Sequence, residues 1–175
     1  VITDQSDLIR ASLRNVANAA LIGAILAVLV LFLFLRSLTS ILVIAVAIPL
    51  ALVGAVAVLH IAGITLNLMS LGGLAIAVGM LVDNAIVVLE NMSRHRRSGK
   101  SAPDAAAEGG SEIGSAILAS TLTTVVVFVP LLYLQGLVGQ LFRDMGLAVS
   151  GALFISLVVA LTLVPAAFAR WDARR

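Results

Sequence analysis

Long apolar runs, each closed by a short polar or charged break, dominate this chain. Five of them, residues 16–35, 38–61, 66–89, 113–134 and 145–169, have the length that matters. Each approaches the roughly 20 residues a helix needs to cross about 30 Å of hydrocarbon. The alternation expected of a membrane barrel strand is absent, and open strands would leave backbone groups unsatisfied in lipid. The pattern therefore predicts an all-α membrane protein, a polytopic bundle of five transmembrane helices. Its parts are a lead-in at 1–15, three spans within 16–90, a basic loop and short helix at 91–112, two spans within 113–169, and a tail at 170–175.

The polar breaks carry the orientation. Arg36, then Arg94, Arg96, Arg97 and Lys100, then Arg170, Arg174 and Arg175 fall on one side of a five-span layout. Arg10, Arg14 and Arg143 fall on the other. Basic residues concentrate on the cytoplasmic side of membrane proteins, which predicts a cytoplasmic C-terminus and an N-terminus outside. The run from Ser93 to Lys100 is accordingly read as charge that sets topology rather than as a nucleic-acid site. Ser101, Pro103 and Asp104 then look like a helix start, with a capping hydroxyl and a proline in the first turn. Gly109 and Gly110 are expected to weaken or bend that short helix. In the lead-in, Asp4, Asp7, Arg10 and Arg14 mix with Ile2, Leu8, Ile9 and Leu13. An interfacial helix and a solvated lead-in fit this pattern equally.

Composition supports the membrane assignment and removes several chemistries. The 175 residues are 61% hydrophobic and 11% charged, against about 45–50% and about 25% in soluble domains. With no cysteine, disulfides, thiolate metal sites and cysteine catalysis are excluded. His60 and His95 are far apart, so no metal cluster is visible. The chain opens on Val1 without a signal-peptide pattern and is read as a piece of something longer. Pro49, Pro130 and Pro165 lie in or near span ends, where each removes a backbone donor and can kink its helix.

One residue breaks the apolar pattern at depth. Asp83 sits within the third span, where a carboxylate costs roughly 2.5–3.5 kcal/mol. Gly72, Ala75, Gly79 and Asp83 follow at spacings of three or four and share one helix face. Small residues in such a row let a neighbouring helix approach closely. Glu90 continues the face, about 10 Å from Asp83 along the axis. Its position suits a cytoplasmic proton exit as well as simple helix-end solvation. Asp83 must be neutral, paired or hydrated through a protein cavity, and its default role is ion or proton handling. Asn84 beside it suits an interhelical hydrogen bond or a supporting role. Thr121, Thr123 and Thr124 are expected to bond their own helix backbone. No cation in the five spans is placed to pair with Asp83. An intramembrane aspartyl protease would need a second facing carboxylate, which is also missing.

The run from Gly79 to Asn91, Gly-Met-Leu-Val-Asp-Asn-Ala-Ile-Val-Val-Leu-Glu-Asn, resembles the fourth-helix motif of resistance–nodulation–division efflux permeases, in the hydrophobe/amphiphile branch. The resemblance extends along nearly the whole chain. It takes in residues 4–16 at the entry to the family's second helix and 31–36 at its end. Pro49, Pro130 and Pro165 match the prolines of the third, fifth and sixth helices. It implies helices two to six of a twelve-helix, two-repeat permease of the bacterial inner membrane. It also implies a homotrimer in membrane lipid, working with a periplasmic adaptor and an outer-membrane channel. The implied activity is proton-coupled export of lipophilic or amphiphilic compounds, with the proton as coupling ion and no other cofactor.

By the same resemblance Asp83 and Asn84 occupy the proton relay, with Asp83 as the protonation site, and the relay's lysine lies in the second half of such a permease. Many members carry two adjacent acids where this chain has Asp83 and Asn84. Related members that export lipid, metal or protein, and an inactive structural fragment, are the alternative readings. Scattered methionines and the absence of a Cys/His cluster disfavour metal export.

Overall fold

The computed structural model describes residues 38–172, and before them only scattered positions between 10 and 29. The lead-in at 1–15, the expected span at 16–35 and residues 173–175 thus lie wholly or largely outside the described residues. From Leu38 onward the chain is helical. Helix α1 covers Leu38–Ile61, α2 Leu68–Arg97, α3 Ala102–Phe128, α4 Gly136–Leu161 and α5 Leu163–Asp172, with a 3₁₀ segment at Val129–Tyr133. Among the described residues, four stretches are long and apolar enough to cross a membrane: Ile41–Ile61, Leu68–Arg97, Ala102–Tyr133 and Gly139–Trp171.

Local chemistry sets the helix ends. Asn67 caps α2 by accepting from the Met69 and Ser70 amides, while the Ser70 hydroxyl accepts from the Asn67 amide. This reciprocal arrangement satisfies donors that a helix start otherwise orphans. Ser101 caps α3, with Pro103 in the first turn as the sequence predicts. The α2–α3 turn closes at Gly99, whose φ of 91° favours glycine. Pro130 ends α3 in the 3₁₀ segment, and Pro165 accounts for the break between α4 and α5 at Thr162, since its ring collides with the carbonyl four residues earlier.

Two boundaries differ from the sequence expectation. Helix α2 continues past Leu89 to Arg97, and the expected short helix is continuous with the following span as α3. Gly109 does not bend α3. It is buried, and a Cβ there would lie 2.8 Å from Met92 Cα, so glycine permits close contact with α2. At about 1.5 Å per residue, the Ala102–Tyr133 stretch measures about 48 Å, longer than the hydrocarbon is thick. Its first turns, with Asp104, Glu108 and Glu112, therefore stand outside the apolar layer, level with the basic end of α2.

Among the described residues, helices α2 and α4 together form the centre of the bundle, and each touches all the other described α-helices. Leu71, Leu74, Val78, Leu81, Ala85, Val88, Leu89 and Met92 form the buried stripe of α2. Val43, Ile44, Ala47, Ala51, Ala55 and Leu59 form that of α1. Gly73 brings α2 against the α4 backbone, where an added Cβ would lie 2.7 Å from the Met145 carbonyl oxygen. Helix α3, by contrast, is largely exposed along its apolar stretch.

Candidate functional site

The apolar side chains around Asp83 decide where it points. Leu81, Val82 and Ala85 are buried against the bundle, which turns Asp83 to the opposite face. It opens into a groove of about 530 Å³ between α2 and α3. Asp83, Asn84, Met80 and Val87 form one wall, and Ile113, Ile117, Ser120, Thr121 and Thr124 form much of the other. Asp83 is exposed on this groove rather than enclosed by the described helices. Among the described residues, no Lys, Arg or His stands in ion-pair contact with it.

Asn84 reaches across the groove floor, its Nδ2 donating to Thr121 Oγ1 at 3.2 Å. Thr121 is buried, at 5% exposure, on a helix whose neighbouring positions are mostly exposed. Thr123 and Thr124 do bond their own helix, donating to the Ala119 and Ser120 carbonyls at 2.9 and 3.0 Å. Thr121 is the exception to the sequence reading. A second tie holds the same part of α2: buried Ser156 on α4 donates to the Leu81 carbonyl at 2.7 Å. Sequence reasoning did not single out Ser156 or Ser120. The available signal was a hydroxyl within an otherwise apolar helix stripe.

Gly72, Ala75 and Gly79 continue the Asp83 face toward the other end of α2. Gly72 and Gly79 are exposed, and a Cβ at either would meet nothing within 4 Å. Ala75 is half-buried against the core, so the open positions of this face are Gly72 and Gly79, and the close α2 contact is made by Gly73 instead. Glu90 is exposed and lines a smaller recess of about 320 Å³ with Val87, Asn91, Arg94, Arg97 and Ile113. Val87 and Ile113 also line the Asp83 groove, so the two spaces share a wall.

Below Glu90, polar side chains clasp α2 to α3. Asn91 Nδ2 donates to the Gly109 carbonyl at 2.7 Å and to Glu112 Oε2 at 3.0 Å. Arg94 Nη2 donates to both Glu112 oxygens, at 3.0 and 3.1 Å. His95 Nε2 lies 2.7 Å from Glu112 Oε2, and its Nδ1 lies 2.9 Å from Lys100 Nζ. An ammonium can only donate, so Nδ1 accepts and Nε2 carries the proton given to Glu112. Lys100 also pairs with Glu108. Hydrogen bonds from His95 first, then Asn91 and Arg94, hold the Glu112 carboxyl down at about 2. No group of three or more His, Asp or Glu side chains among the described residues is placed to hold a metal ion.

A polytopic helical membrane domain that presents one acidic side chain at mid-helix to a lateral groove is the class this architecture defines. The sequence comparisons give the family. Residues 1–171 match the model of the AcrB/AcrD/AcrF family. The chain belongs to that family of resistance–nodulation–division efflux permeases. It is 45% identical over 170 residues to the multidrug resistance protein MdtC of Pectobacterium carotovorum subsp. carotovorum, covering 97% of this chain and 17% of that relative. It is 47% identical over 162 residues to MdtC of Klebsiella pneumoniae subsp. pneumoniae, covering 93% of this chain and 16% of that relative. The chain therefore spans about a sixth of the length of these curated relatives.

Proposed function

We propose that this chain forms part of the membrane domain of a proton-driven multidrug efflux permease of the bacterial inner membrane, with Asp83 as a protonation site. The observation that carries this reading is the placement of Asp83: at mid-helix on one of the two central helices, turned into a lateral groove. An acid in that position changes charge when it binds a proton, and a proton crossing the membrane supplies about 2.3 kcal/mol per 100 mV. The open face of Gly72, Gly79 and Asp83 would receive helices of the second repeat, including a cationic partner for the carboxylate. The name of the relatives, multidrug resistance protein, supports export of varied compounds, which this reading takes to be lipophilic or amphiphilic rather than lipid, metal or protein cargo. A periplasmic adaptor, an outer-membrane channel and a homotrimeric assembly complete the proposal.

The test is Asp83→Asn in a full-length permease carrying this segment. Export of a lipophilic cationic dye should fall to the level of cells lacking the permease, while the amount of membrane-inserted protein is unchanged. Normal dye export by that variant would remove Asp83 from the cycle.

A further inference from the structure

The hydrogen bonds around the groove fix the direction of several of its polar groups. Ser120 donates to the Ile117 carbonyl at 3.0 Å and Thr124 to the Ser120 carbonyl at 3.0 Å, so both hydroxyls spend their hydrogens on their own helix. Asn84 gives one of its two amide N–H groups to Thr121. Nitrogen and oxygen of an amide lie on opposite sides of its carbon. With Nδ2 held by α3, Oδ1 is turned away from Thr121. The groove thus combines the Asp83 carboxylate with the oxygens of Asn84, Ser120 and Thr124 as acceptors.

We infer that Thr121 is a positioning residue: by accepting from Asn84 it fixes the amide so that the Asp83 groove offers oxygen acceptors to a positively charged N–H or O–H donor. Freed from Thr121, the Asn84 amide is able to rotate and turn its own N–H groups toward the neighbouring carboxylate, competing with the incoming cation. An aspartate at position 84 would add a second charge, whereas the anchored amide supplies an oriented oxygen without one. This inference rests on Asp83 being the protonation site. It adds what α3 contributes to that site.

The experiment is a double-mutant cycle in the full-length permease carrying this segment, reconstituted in proteoliposomes with an imposed pH gradient. Thr121→Val keeps the side-chain shape and removes the acceptor; a lost hydrogen bond of ordinary strength lowers the maximal export rate roughly 2- to 10-fold. Thr121→Ser keeps the acceptor and retains the rate. In an Asn84→Ala background, Thr121→Val has no further effect, because the group it positions is gone. The hydrogen bond couples the two residues in stability as well, so rates are measured well below each variant's melting temperature. The pH profile of export, which a merely structural loss leaves unmoved, shifts with Thr121→Val only when Asn84 is present. An equal loss from Thr121→Val with and without Asn84, or a Ser variant as impaired as Val, overturns the inference. Either result leaves the Asp83 reading standing, since that reading falls only if Asp83→Asn exports normally.

Discussion

Glu112 shows how one side chain joins two helices at the basic end of the bundle. Its carboxylate takes hydrogen bonds from His95, Asn91 and Arg94, which lower its pKa from the ordinary 4.5 to about 2. A depressed carboxylate pKa means that folding favours the ionised form. Its contribution is therefore fully present above about pH 4.5 and is lost as pH falls through about 2. Glu112 is half-exposed, and its ion pair with Arg94 is open to solvent, so salt should weaken the effect. Melting curves in detergent should show thermal stability declining across that acidic window. Glu112→Gln should flatten the decline, and added salt should reduce the difference between the two proteins. Asp83 and the helix-end acids were legible in the sequence because charge stands out against apolar runs. The Asn84–Thr121 and Asn91–Gly109 bonds were not. Their partners are 37 and 18 residues apart, and no local periodicity encodes which faces of two helices meet.

At the scale of helices, hydropathy located the described spans and Pro130 and Pro165 marked interruptions, but Pro49 lies inside the unbroken α1 and glycine was misread. Propensity alone makes Gly109 and Gly110 a weak point. The structure separates them by what each touches. A Cβ at Gly109 would meet the Met92 backbone at 2.8 Å, and a backbone atom of a packed helix cannot swing aside. A Cβ at Gly110 would rest 3.5 Å from the Pro165 ring, an ordinary contact. Gly109→Ala should force α2 and α3 apart, stretch the Asn91 bond to the Gly109 carbonyl, and cost about 1–3 kcal/mol. Gly110→Ala should be neutral or gain up to about 1 kcal/mol from the better helix former. Unfolding in mixed micelles distinguishes them; equal effects from both substitutions would mean that α3 does not depend on this contact. The same logic applies to α4 and α5. The expected single apolar run is interrupted at Thr162 because Pro165 denies Leu161 its helical partner, a local rule that hydropathy averages away.

Across the whole molecule, the fold gathers charge in a way the linear sequence only suggests. Arg94, His95, Lys100, Glu108 and Glu112 meet at one end of α2. Helix α5, which ends at Arg170 and Asp172, packs Val164 and Phe168 into the same core as Met92, Ala105 and Ala106. At the opposite end Asn67 donates to Asp144 at 2.6 Å, beside Arg143 and the turn at Ala62–Thr65. Folding therefore brings most of the described Lys and Arg to one face of the membrane layer, the asymmetry on which the positive-inside argument depends. On that rule the α2–α3 turn is expected in the cytoplasm and the α1–α2 turn outside. The absence of native cysteine in this chain makes a direct test simple. Ala62 and Ser98 are exposed and lie in the two opposite turns. In a cysteine-free full-length permease carrying this segment, Ala62→Cys should react with a membrane-impermeant maleimide added to spheroplasts. Ser98→Cys should react only in inverted vesicles. The reverse pattern would turn the bundle over, and the recess at Glu90 would then open on the outer side and no longer suit release of protons to the cytoplasm.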